Sequence, residues 1–299
     1  MSALVDGGGT WSKEIQMDKG RSYHAATLLL NGKVLITGGV EPTNADAGVY
    51  TIRDTELYDP ATGRSSHAGR GEYRFGHTAT LLHDGRVLVA GGFADKAPLA
   101  SAEIYDPNCP ASPEGGSPAS DGSATCITWT LIKPMQYSRA AHTATLLRDG
   151  RVLVVGGVSE RDPPMAPPEV YDPTTGEWTD AADLGDGNRA FHTATLLPDG
   201  KVLVLGGVQL AAKPDGFTLL SVLQNKKLFT RFYAKALDSA ALYIPDPQRG
   251  TWTHLEAGLT ARRVAHTATL MPDGKVLVVG GWDKRVDAPQ IALEIAGMR

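Results

Sequence analysis

The chain has 299 residues, 42% hydrophobic and 21% charged, with 34 glycines and 19 prolines. That balance excludes disorder over most of the length and suits a folded array rich in tight turns. A formal net charge of -4 excludes a broad electrostatic attraction to nucleic acid, and no apolar run approaches the ~18 residues of a membrane-spanning helix.

In chain order, the opening Met1–Gly9 has neither a charged start nor an apolar core of signal-peptide length. Thr10-Trp11-Ser12-Lys13-Glu14-Ile15 then reads as a short strand. From Arg21 onward one unit is written five times, starting at Arg21, Arg74, Arg139, Arg189 and Arg263. Each copy has an alternating run around His-Thr-Ala-Thr-Leu-Leu, an Asn-Gly or Asp-Gly turn, an apolar run such as Val152-Leu153-Val154-Val155, and a closing Gly-Gly pair. Alternation, a two-residue turn and a second run spell a β-hairpin. The histidines stand at His24, His77, His142, His192 and His266, so the unit is constant while its insertions vary.

A variable loop follows each Gly-Gly, then a third strand ending in an aromatic and Asp-Pro, as in Glu169-Val170-Tyr171-Asp172-Pro173. Proline donates nothing to a ladder, so it marks the strand's end. A fourth strand is centred on Trp129, Trp178 and Trp252, with Arg64-Ser65-Ser66-His67 in its place in the first copy. Cys109 and Cys126 bracket a loop rich in Pro, Ser and Gly between the third and fourth strands of the second copy. A disulfide there would oppose the loop's closure entropy by about 3 kcal/mol and would place the chain in an oxidising compartment. The other reading is two free thiols. Two thiolates without His or Cys neighbours fall short of a four-ligand zinc site.

Four short antiparallel strands per unit, with Gly38-Gly39, Gly91-Gly92, Gly156-Gly157, Gly206-Gly207 and Gly280-Gly281 followed by the Tyr and Trp positions, resemble the kelch repeat of β-propellers. The resemblance covers nearly the whole chain. It implies an all-β fold in one domain, a five-bladed β-propeller of four-stranded antiparallel blades. The blades lie at about 21–69, 74–133, 139–180, 189–254 and 263–295, with residues 10–15 closing the ring as the outer strand of the last. A larger ring, of which this is a part, is the alternative.

The five histidines suggest a metal ring, but a side chain repeated in every blade serves packing or a hydrogen bond to the next blade, and no metal or other cofactor is expected. The long, irregular loops after Gly-Gly share one face with the connections between blades; the Asn/Asp-Gly turns lie opposite. On that long-loop face the spacing places Arg21, Arg74, Arg139, Arg189 and Arg263 around the mouth of the central channel. A ring of guanidinium groups would take carboxylates, phosphates or sulfates. In kelch adaptors, arginines at the corresponding position grip acidic segments. The competing reading is that each arginine holds a neighbouring carbonyl or carboxylate. Phe93 and Trp282, which open two of the variable loops, are candidate aromatic anchors, and the 209–237 insertion reads as a cap or a partner surface.

The function expected is that of a non-catalytic, monomeric binding module for a protein segment or glycan, extracytoplasmic and bacterial, with no nucleic-acid partner and no membrane span. The alternative is a carbohydrate-active enzyme, since kelch-type propellers include a copper-radical oxidase and a sialic acid mutarotase. Long-loop carboxylates such as Glu41, Asp46, Asp95, Glu160, Asp162, Asp215, Asp283 and Asp287 could then supply an acid and a base. No residue is singled out as catalytic.

Overall fold

A computed structural model of the chain describes residues 17–41, 50–94, 97–109, 128–160, 165–185, 188–210, 233–282 and 293–296. The chain is all-β, and its repeats fold as successive antiparallel sheets. Blade 1 is built from Ala25–Leu28, Val34–Thr37, Asp54–Asp59 and Arg64–Arg70. Blade 2 takes Thr78–Leu81, Val87–Ala90, Ala102–Tyr105 and Trp129–Leu131. Blade 3 takes Thr143–Leu146, Val152–Val155, Glu169–Asp172 and Glu177–Asp180. Blade 4 takes Thr193–Leu196, Val202–Leu205, Ala240–Ile244 and Thr251–Leu255. Among the described residues blade 5 has three strands, Thr267–Leu270, Val276–Val279 and Leu293–Ala296.

Each hairpin is in the register that its turn dictates: Leu146 opposes Val152 and Thr143 opposes Val155, and the same offset recurs in every blade. The second strand is apolar throughout because both faces are covered. Val152 to Val155 are all fully buried, one side against blade 2 and the other against blade 4. At the outer rim each tryptophan packs on the tyrosine across its pair, with ring centroids 4.9–5.2 Å apart, and donates its Nε1–H to the preceding blade: Trp129 to Ala68 O, Trp178 to Lys133 O and Trp252 to Ala182 O.

Four joints between blades are formed, and the closed ring expected from the sequence is not seen among the described residues. The inner strands of blades 1 and 2, 2 and 3, 3 and 4, and 4 and 5 pack on one another, whereas those of blades 5 and 1 make no comparable contact. The segment 10–15, expected to close the ring, lies outside the described residues, as does most of the 209–237 insertion. Three two-stranded ribbons rise from the long-loop face: Val40–Glu41 with Tyr50–Thr51, Phe93–Ala94 with Ala97–Pro98, and Val208–Leu210 with Tyr233–Ala236.

Candidate functional site

The long-loop face is built by three consecutive positions in each repeat. The first is the leading arginine. All five are buried, and Arg139 is fully so. In every blade the Nη1 donates to the carbonyl of the first glycine of its own Gly-Gly pair, at 2.6–3.0 Å to Gly38, Gly91, Gly156, Gly206 and Gly280. The Nη2 reaches a glutamate on the third strand: Glu56 at 2.5 Å, Glu103 at 3.0 Å, and Glu169, whose pair with Arg139 is wholly out of solvent. In blade 4 Ala241 stands in the glutamate's place and Arg189 turns to Ser239, 3.1 Å from its carbonyl and 3.2 Å from its hydroxyl. Burial pulls the Arg189 guanidinium down to about 10 and lowers that of Arg139 against the pull of Glu169, while burial raises the Glu103 carboxyl against Arg74.

These arginines therefore do not present an open cationic ring, which corrects the expected anion site at the channel mouth. In blades 1 to 3 the fork is taken by a carbonyl and by a carboxylate that balances its charge, and in all five blades the side chain is buried. Their backbone carbonyls face the other way and stitch the array: Gly39, Gly92, Gly157 and Gly207 donate their N–H to Arg74, Arg139, Arg189 and Arg263 of the following blade at 2.7–2.9 Å.

The second position, directly after each arginine, pairs with the residue after Gly-Gly: Ser22 with Val40, Phe75 with Phe93, Ala140 with Val158, Ala190 with Val208 and Val264 with Trp282. All of these side chains but Ser22 join one apolar cluster to which all five blades contribute, so it sits where the blades converge. Phe93 is buried in it, 5.4 Å from the Phe75 ring, and is not an exposed anchor. Trp282 packs against the edge of the same cluster and is half-buried.

At the third position the backbone is left-handed: Tyr23, Ala141, Phe191 and Ala265 have φ of 54–55°, and Gly76 has 61°. The strain, of order 1–2 kcal/mol for each non-glycine residue, is held by a belt of bonds. Gly76 N–H donates to Tyr23 O, Ala141 to Gly76 O, Phe191 to Ala141 O and Ala265 to Phe191 O, at 2.9–3.0 Å.

The histidines sit one residue further on and are structural. Threonine Oγ1 and histidine Nε2 of the next blade lie 2.8–3.0 Å apart in the pairs Thr37–His77, Thr78–His142, Thr143–His192 and Thr193–His266. In blade 1 the inner strand carries Ala25 at the threonine position, and Thr37, opposite it in the pair, supplies the hydroxyl instead. Burial holds His77 down to about 3 and His142 and His192 well below the ordinary imidazole range, with the nearby arginines adding to it. Among the described residues no three His, Cys, Asp or Glu side chains converge as a metal-binding group.

Among the described residues three exposed tyrosines, not singled out by the sequence, face solvent on this side. Tyr23 is 49%, Tyr50 62% and Tyr73 52% exposed. Tyr50 is on the first ribbon, Tyr73 carries the Arg53 guanidinium 5.3 Å from its ring centre, and Tyr23 leans on Phe75. The signal available was that blade 1 alone has a tyrosine in the third position. Of the long-loop carboxylates, Glu41 and Glu160 are exposed, and Asp46, Asp95, Asp162, Asp215, Asp283 and Asp287 lie outside the described residues. Cys109 is buried, and its expected partner Cys126 also lies outside them. On the opposite, turn side, a cleft of about 520 Å³ between blades 3 and 4 is lined by Asp172, Glu177, Asp180, Arg151 and Arg249.

With this geometry in place, residues 139–185 match the Kelch motif. A 117-residue stretch is 29% identical to Kelch-like protein 15 of Danio rerio, covering 37% of this chain and 19% of that protein. The structure of YjhT superposes with a TM-score of 0.63 at 14% identity, over 93% of this chain and 84% of that one. A copper-bound fungal alcohol oxidase of the AA5 family superposes with a TM-score of 0.50 at 19% identity, over 92% of this chain and 62% of that one. The chain thus spans about a fifth of the curated relative and less than two thirds of the oxidase. Sequence and fold together support a kelch-repeat protein of propeller type.

Proposed function

We infer that this kelch-repeat array is a binding module that holds a protein segment or a glycan on its long-loop face. The observation that carries the reading is the set of large aromatic side chains left exposed there, Tyr23, Tyr50 and Tyr73, on a frame made rigid by the buried arginines. Tyrosine offers a flat apolar surface and a hydroxyl at low entropic cost, which suits both peptides and sugar rings. The ribbons beside them differ between blades, so selectivity would lie in the loops and framework in the repeats.

The test is binding to panels of immobilised glycans and displayed peptides, before and after Tyr50→Ala and Tyr73→Ala. Each substitution should weaken the best hit by on the order of tenfold or more, as truncating an aromatic anchor does, with an unchanged thermal midpoint. Undiminished binding in the double variant would sink the reading.

The same reading puts the protein in an oxidising compartment, with Cys109 bridged to Cys126. Alkylation under denaturing conditions should label neither thiol before reduction and both afterwards, read by intact mass; two labels without reductant would count against it.

A further inference from the structure

Each formed joint has the same parts. The trailing blade offers a threonine hydroxyl, the N–H of its second glycine, and a Cβ-free space at its first glycine. The leading blade fills them with a histidine ring and an arginine carbonyl. At Gly38, Gly91 and Gly206 an added Cβ would meet that carbonyl at 2.3–2.8 Å and the histidine Cε1 at 2.7–2.8 Å, and Gly156 has the carbonyl at 1.9 Å and the histidine at 3.1 Å. At Gly280 the same cradle is open, with nothing within 4 Å among the described residues. Thr267 Oγ1 turns back to Val279 O at 3.4 Å instead of meeting a histidine, and His24, alone among the five histidines, is exposed.

The apolar faces agree. Leu28, on the leading side of blade 1, is 63% exposed, and Val34 is half-buried where Val87, Val152 and Val202 are fully buried. Met271, Leu277 and Val279, on the trailing side of blade 5, are half-buried where their counterparts Leu147, Leu153 and Val155 are buried.

We propose that this flank is a docking surface for one further kelch-like blade, presented by polypeptide outside these 299 residues. Its inner strand would open Arg-x-x-His, its arginine carbonyl accepting from Gly281 N–H and its histidine meeting Thr267 and covering Gly280. A threonine on its first or second strand would meet His24. Among the described residues the four formed joints have no counterpart between blades 5 and 1. The part of YjhT that the superposition leaves uncovered is on the scale of one of these repeats. At the outer rim the fit is looser, because Ser65 stands across from Tyr58 where blades 2, 3 and 4 have tryptophan.

The experiment extends the full chain after Arg299 with a copy of residues 173–188 followed by a copy of residues 139–188, the chain's own strand order. The readouts are the modification rate of His24 by diethyl pyrocarbonate and amide exchange at Gly281. In the unextended chain both should be fast. In the extended chain both should slow on the order of tenfold or more, as buried and bonded groups do, and Leu28→Lys should restore the fast rates. The proposal is overturned if the tail leaves the rates unchanged, whether it folds or not. It is equally overturned if the unextended chain already shows both groups protected, by closure on itself when it sediments as one copy or by a second copy when it sediments as two.

Discussion

Arg139 has both ends of its fork engaged, Nη1 by Gly156 and Nη2 by Glu169, with neither charged side chain reaching solvent. Removing one member leaves the other charged and buried, which costs far more than the pair itself is worth. Arg139→Ala is therefore expected to lower unfolding stability by about 3–5 kcal/mol, as is Glu169→Ala, both read from denaturant midpoints. Replacing both together with Met and Leu should recover most of that loss, because the desolvation cost goes with the charges. If Arg139→Ala instead leaves stability intact and abolishes binding of an anionic ligand, the anion-ring reading returns. The leading arginine was visible in the sequence as a fixed position; its direction was not. The glutamate that neutralises it lies 29 to 35 residues on, across a variable loop, and only the folded third strand brings Glu56, Glu103 or Glu169 beneath it.

The Gly-Gly pair works as half of a joint between elements. At Gly156 φ is +63° and an added Cβ would lie 1.9 Å from the Arg189 carbonyl, so alanine there must both strain the backbone and push blade 4 away. At Gly280 φ is +70° but the space is open among the described residues. Gly156→Ala should thus cost on the order of 3 kcal/mol or more, from left-handed strain plus overpacking, against roughly 1–2 kcal/mol for Gly280→Ala from strain alone. Equal midpoint shifts for the two variants would contradict the joint as described. Strands, turns and Gly-Gly pairs were legible in the sequence because each is local: a period of two, an Asp-Gly turn, a proline stop. The apolar plug was not, since Phe93 looked like a loop residue and is buried only because Phe75 pairs with it and the other blades converge on both. The same limit applies to ring closure, which depends on a turn angle between blades that no residue pattern encodes.

Across the whole molecule, three of the joints place a histidine whose charged form burial disfavours, His77 at about 3 and His142 and His192 well below their ordinary value. The unfolded chain binds these protons near pH 6.5 while the folded one refuses them, so the stability they contribute is complete above 6.5 and is lost as pH falls below it, for His77 down to about 3. Glu103 has the opposite sign, since burial raises its folded value and the folded state takes up that proton early, but it is one group against three. Asp54, held down to about 2 by Lys19 and Arg70, adds an acid loss only below the ordinary carboxylate range. The window between pH 6.5 and 5 therefore belongs to the joints together with His24, whose value burial also lowers. Well below 6.5 the slope approaches about 1.4 kcal/mol per pH unit for each histidine, so stability should fall by up to roughly 4 kcal/mol per unit for the three together. Denaturant unfolding from pH 7.5 to 5 measures this directly, and a midpoint that stays flat across that range would mean that the joints tolerate imidazolium. Because each protonated histidine loosens the contact between two blades and leaves the hydrogen bonds within each sheet in place, acid should first separate blade from blade, with apolar faces such as Leu147 and Leu153 becoming dye-accessible before the strand signal is lost.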